Sequence, residues 1–121
     1  MSAYSVLDVY NLALYVNDLY TSSNKRLYVN SRVVQWPKFM YLDVLNDELR
    51  DRALTALDRA IEILPDNENI AGFENECLVA KNILNNRVFD QVKFNNFIDF
   101  TQSLDISRNQ SFEQVFNYKL Y

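Results

Sequence analysis

Apolar residues recur at three- and four-residue spacing over most of this chain, so its hydrophobic pattern is written for helices. The clearest stretch runs from Asn46 to Leu64, where Leu49, Ala53, Leu57, Ala60, Ile61 and Leu64 share one face and Pro65 stops the helix. Asn46 or Asp47 is placed to cap it. Glu48 and Arg52, four apart, predict an ion pair on the opposite face. From about Asn67, the residues Ile70, Phe73, Cys77, Ala80 and Leu84 predict a second helix, with Gly72 inside it as a sign of close packing or a ragged first turn. Asp90 precedes a third, carrying Phe94, Phe97, Ile98, Thr101 and Leu104 on one side. At the N-terminal end, Ser5 and Asp8 suit the first turn of a helix with a stripe of Val9, Leu12, Ala13, Val16, Leu19 and Tyr20. Leu7, Tyr10, Leu14 and Tyr15 widen that stripe and predict burial on more than one side. Thr21 to Asn24 ends it with turn chemistry. Ser111 and Gln114 have capping-box spacing before a short terminal helix with Phe112, Val115 and Phe116 as its apolar side.

The stretch between the first two helices has a different character. Leu27, Tyr28, Val29, Val33 and Val34 are strand formers, but Asn30-Ser31 interrupts their alternation. Trp36-Pro37 stops any regular element. The run from Phe39 to Leu45 fits either a short extended segment packed on helices or a short helix. The expected fold is mainly α: a compact single-domain bundle of four to five helices over residues 1–121, with a short extended or β segment around residues 26–45.

Composition removes functions more readily than it suggests them. The chain has 121 residues, no histidine, one glycine and one cysteine. Imidazole chemistry, a His/Cys metal site and a glycine-rich phosphate cradle therefore cannot be assembled from one copy. The formal net charge is −4, which disfavours direct binding of nucleic acid or anionic lipid. A lone cysteine makes no internal disulfide, and neither a signal peptide nor an apolar run of roughly 20 residues is apparent. The expectation is a cytoplasmic protein without a cofactor, metal or membrane anchor.

A few groups remain as candidates for chemistry. Asp47/Asp51 and Asp58/Glu62 are carboxylate pairs at i,i+4 spacing, able in principle to hold a cation or supply an acid and a base. They read first as exposed charges, since Arg50, Arg52 and Arg59 interleave with them. Cys77 falls on an apolar stripe, and Glu74 and Glu76 beside it disfavour a thiolate, so a structural role is expected. Lys25, Arg26 and Arg32 form a small basic cluster suited to an acidic partner or to local charge balance. With aromatic content at 14%, the best recognition candidates are Trp36, Phe39 and Tyr41, because exposed Trp and Tyr desolvate a large area at little entropic cost. The alternative is that Trp36 closes one end of the core.

Two stretches resemble a known family. Arg26-Leu-Tyr-Val-Asn-Ser-Arg-Val-Val-Gln-Trp-Pro-Lys-Phe-Met-Tyr-Leu-Asp-Val-Leu45, running into a helix, is similar to a late segment of phage-type radical SAM proteins with a twitch domain. Phe97-Ile-Asp-Phe-Thr-Gln-Ser-Leu-Asp-Ile-Ser-Arg-Asn-Gln-Ser-Phe-Glu-Gln-Val-Phe116 resembles their C-terminus, where a Leu-Asp-x-x-Arg motif precedes a closing helix. The resemblance spans about residues 26–116. It implies a [4Fe–4S] cluster and S-adenosylmethionine held by a CxxxCxxC barrel, yet Cys77 is the sole cysteine and no cluster ligand carries over. Leu104, Asp105 and Arg108 match the tail motif, for which a structural role is expected. Asn46 stands where the family tends to have proline, and Asn117-Tyr118 replaces its closing proline–acid pair.

The functional expectation is a non-enzymatic module that binds another protein, with Trp36, Phe39 and Tyr41 as anchors. Its concrete form would be a phage-derived accessory protein or inhibitor of a host system, acting in the host cytoplasm, with an anti-CRISPR type among the options. The alternatives are a detached C-terminal subunit completing a separately encoded radical SAM enzyme, and a homo-oligomeric virion protein.

Overall fold

The computed structural model describes residues 1–23 and 27–121. Its regular structure, among the described residues, is helical throughout: α1 (Val9–Ser22), α2 (Asp47–Ile63), α3 (Glu68–Asn86), α4 (Gln91–Arg108) and the short α5 (Phe112–Phe116), with 3₁₀ turns at Ser5–Asp8, Lys38–Met40 and Leu42–Val44. No described helix is long and apolar enough to cross a membrane.

Helix α2 is the centre of the fold and packs against α1, α3 and the Ser5–Asp8 turn. Its start is set by Asn46, whose side-chain oxygen accepts the Leu49 amide at 2.8 Å, and Asp47 and Glu48 favour the positive end of the helix dipole. Leu49, Ala53, Leu57 and Ala60 are fully buried. Alanine at two of these four positions lets neighbouring helices approach closely. On α3, Ile70, Phe73, Cys77, Ala80 and Leu84 all lie at zero exposure, the stripe the sequence predicts. Asn67 caps this helix by accepting the Asn69 amide, and Asp90 caps α4 by accepting those of Val92 and Lys93. Asn109 and Asn117 close α4 and α5 in the left-handed region, at φ of 49° and 51°, a conformation asparagine tolerates better than most residues.

Helix α4 joins the body through the turns at Lys38–Met40 and Leu42–Val44 and through an aromatic cluster. Phe97 lies 5.2 Å from Tyr4, 6.4 Å from Phe94 and 6.2 Å from Phe112, centroid to centroid. The C-terminal tail returns to α2, where Arg52 donates to the carbonyls of Phe116 and Asn117 and stacks over the Tyr118 ring. Asn46 donates to the Tyr118 hydroxyl at 2.9 Å.

Several expectations are corrected here. Ser5 caps nothing in α1: the helix starts only at Val9, and the Ser5 hydroxyl accepts the Ser2 amide instead. Leu12, Leu14 and Tyr15 are 42%, 38% and 60% exposed, because α1 is covered chiefly by α2 and buries only the narrow line Val9, Ala13 and Val16. The Glu48–Arg52 pair gives way to the contacts of Arg52 with the tail. Gly72 is exposed, and a Cβ there would meet Asn30 Oδ1 at 3.6 Å and Val29 O at 3.9 Å, ordinary contact distances.

The described part of the 26–45 segment, residues 27–45, forms no strand. Residues 27–35 run irregularly beside α3, where the Val29 amide donates to Asn69 O and the Val33 amide to Glu76 Oε2. The segment then closes into the two 3₁₀ turns. The chain's first residues cross it: the Met1 ammonium donates to Arg32 O, the Val34 amide to Met1 O at 2.7 Å, and the Ala3 amide to Met40 O at 2.8 Å.

Candidate functional site

The anchors of Met1 at residues 32 and 34, and of Ala3 at residue 40, hold the intervening residues as a fixed protrusion. Pro37 follows Trp36 through a cis peptide, and the Pro37 carbonyl accepts the Met40 amide at 3.0 Å. Trp36 stands 76% exposed on this protrusion, and Tyr28, on the same segment, is 70% exposed.

The three aromatic anchors separate in the fold. Trp36 faces solvent. Phe39 is half-buried and turned onto Phe100 of α4, ring centroids 4.3 Å apart, so it fixes the turn to the bundle. Tyr41 is half-buried and lines a cleft of about 380 Å³ with Gln35, Lys38, Asp43 and Lys93. Trp36 is thus the most exposed of the three, and the cleft beside Tyr41 also holds polar residues the sequence did not single out.

Electrostatically the cleft carries one net positive charge, because Lys93 and Asp43 neutralise each other. Lys93 Nζ donates to Asp43 Oδ2 at 2.8 Å, and that bond holds the ammonium above its ordinary range. Asp43, the cleft's one carboxylate, is therefore engaged, while Lys38 adds a second positive charge and Gln35 and Tyr41 add neutral polar groups. Lys93 was out of reach of sequence reasoning because its contact with Asp43 spans 50 residues. Its one local signal is the Asp90 cap, which fixes where α4 begins. Of the basic cluster, Arg32 is exposed on the rim of a second cleft of about 690 Å³ between residues 30–35 and α3. Lys25 and Arg26 lie outside the described residues.

The carboxylate pairs do not face each other as acid and base. Asp47 is 2.5 Å from Arg87 and 3.7 Å from Arg50, and Asp51 is 3.1 Å from Arg50. The Arg87 hydrogen bond holds the Asp47 carboxyl below its ordinary range. Asp58 reaches across to Lys81 of α3 at 2.6 Å, away from Glu62. Among the described residues, no group of three or more His, Cys, Asp or Glu side chains could hold a metal ion. Cys77 is fully buried, and burial, then the charges of Glu74 and Glu76, push its thiol up to about 12.

The tail-motif residues diverge in role. Leu104 is half-buried and Arg108 exposed, whereas Asp105 is buried and accepts the Phe112 amide at 2.9 Å and the Tyr121 hydroxyl at 2.5 Å. Asp105 thereby ties α5 and the tail to α4.

The fold is a small all-α one, with an exposed tryptophan and a cleft on the irregular stretch between α1 and α2. No family model matches the chain, and neither a curated protein nor a solved structure matches it. The resemblance to twitch-domain radical SAM proteins rests on the quoted residues alone.

Proposed function

We propose that this protein acts by binding another protein through the face built around Trp36, without catalysis of its own. The observation that carries this reading is the indole of Trp36, 76% exposed on a protrusion anchored on both sides. Burying a large aromatic side chain contributes about 1.5–3 kcal/mol, and an anchored loop loses little freedom on docking. Lys38, in the cleft with Tyr41, and the exposed Arg32 on the same segment suit an acidic partner, although the chain as a whole carries −4. Tyr28 and Tyr41 extend the contact. The concrete form we infer is a phage-encoded accessory protein or inhibitor that occludes a surface of a host protein.

The test is parallel affinity purification with the wild type and with Trp36→Ala, followed by mass spectrometry and by titration of the purified partner. The expected result is a stoichiometric partner, more acidic than average at its contact surface, whose affinity falls roughly tenfold or more with Trp36→Ala. Identical recovery and affinity with both proteins would reject the assignment. A concentration-dependent dimer on a sizing column, lost with the same substitution, would replace the partner by a second copy.

A further inference from the structure

We propose that the two clefts meeting at Gln35 form one groove, which holds an acidic, extended segment of a partner protein with an aliphatic side chain seated on α3. This rests on the assignment of the Trp36 face and names what that face binds. Gln35 lines both the cleft of about 380 Å³ and the cleft of about 690 Å³, so the two join at the residue next to Trp36. Tyr41 and Lys93 line one end, and Gly72 and Val79 of α3 line the other. Of these, Gln35, Gly72, Val79 and Lys93 are exposed. The groove is therefore open along its length, a shape that suits a stretch of chain better than an enclosed small molecule.

Charge selects the occupant. The charged side chains lining the groove are Arg32, Lys38, Lys93, Asp43 and Glu76. Both carboxylates are engaged from within the chain. Asp43 accepts from Lys93 at 2.8 Å, and Glu76 accepts the Val33 amide at 2.9 Å. Asp90, close to Lys93, is likewise used as the cap of α4. Lys38 and Arg32 are exposed and make no ion pair among the described residues. The charges left to a partner are thus both positive, one on either side of Trp36 in the chain. They belong to a protein of net charge −4, so a carboxylate-bearing segment finds its favourable contacts here and not on the surface at large. The same overall charge disfavours a nucleic acid, whose phosphates form an unbroken row.

The remaining lining suits a polypeptide. Asn30, Gln35 and Asn75 each present a carboxamide, which both donates and accepts and so pairs with peptide groups of any sequence. Val79 is 38% exposed and Ile83 half-buried on the α3 side. Together they offer an apolar seat for one aliphatic side chain. Backbone pairing would supply affinity, and the seat and the two cations would supply selectivity.

The test is selection of a random peptide library on the full chain. The enriched peptide is then titrated and read through the emission of Trp36, the chain's only tryptophan. Enriched sequences are expected to combine carboxylates with an aliphatic residue, and their binding to weaken as salt is raised. Lys38→Gln and Arg32→Gln are each expected to weaken the peptide roughly two- to fivefold, and Val79→Ser by a similar factor. All three side chains are exposed, and circular dichroism checks that each variant stays folded. Trp36→Ala, followed by calorimetry, separates this inference from the assignment beneath it. Enriched peptides that need Trp36 but carry no acidic residues and ignore residues 32 and 38 would overturn the groove and leave the Trp36 face standing. Acidic peptides that need residues 32 and 38 but bind Trp36→Ala unchanged would overturn the Trp36 face and leave the groove. The inference is also overturned if no peptide is enriched, if Val79→Ser changes nothing, or if oligothymidylate binds as tightly as the peptide. A dimer of this chain that the peptide dissociates would overturn it too, by placing a second copy in the groove.

Discussion

Cys77 gives the fold a pH dependence whose size can be worked out in advance. The thiol lies in the seam of α3 at zero exposure, and burial raises it from an ordinary value of 9.0 to about 12. Between these values the unfolded chain has lost the thiol proton and the native chain has kept it, so the unfolded state binds fewer protons. Stability therefore falls as pH rises through this window and is unaffected by this group well below 9.0. At pH 10, the unfolded thiol is about nine-tenths ionised and the native one about one-hundredth, which amounts to about 1.4 kcal/mol lost relative to neutral pH. Urea titrations from pH 7 to 10, followed by circular dichroism on the wild type and Cys77→Ala, isolate the effect. Tyrosine ionisation is common to both proteins, and the cavity left by alanine costs a pH-independent amount of order 1 kcal/mol. The wild type is expected to lose about 1.4 kcal/mol more than the variant across this range. Profiles that stay parallel up to pH 10 would refute the reasoning, as would rapid reaction of the native thiol with an aromatic disulfide reagent at pH 8.

Three further outcomes follow from single contacts. Asn46→Ala removes the α2 cap and the bond to Tyr118 and is expected to cost about 1–2 kcal/mol, whereas Tyr118→Phe removes only the second and is expected to cost about 0.5–1 kcal/mol; urea midpoints of the two variants compare them. Gly72→Ala is expected to raise stability by about 0.5–1 kcal/mol, read as a higher melting temperature, because the site is helical and exposed and the new methyl meets only ordinary contacts. Trp36→Ala is expected to shift the melting free energy by less than about 0.5 kcal/mol, a result that separates a contact residue from a core plug.

The two helices at the centre of the fold were legible because each buries a full face against neighbours on either side. For α3 the predicted stripe from Ile70 to Leu84 matches the buried set residue for residue. Helix α1 was over-read: its sequence lists apolar residues but not how many neighbours will cover them, and Leu14 and Tyr15 stay in water. The surroundings of the three aromatic candidates were only half legible. Trp36, Phe39 and Tyr41 look equivalent in sequence, yet the turn closed by the Met40 amide and the Pro37 carbonyl turns Phe39 onto Phe100 and leaves Trp36 outside. Lys93 and Asp43 meet only once α4 has docked, and no local pattern encodes that.

Asn46 and Tyr118 hydrogen-bond to each other across 72 residues. Proline at the first would abolish the side-chain cap on Leu49 and the donor that Tyr118 accepts. Asn46 and Tyr118 thus form one latch joining the start of α2 to the tail. The same tail carries Tyr121 to Asp105, so the latch and the buried carboxylate act on one strap.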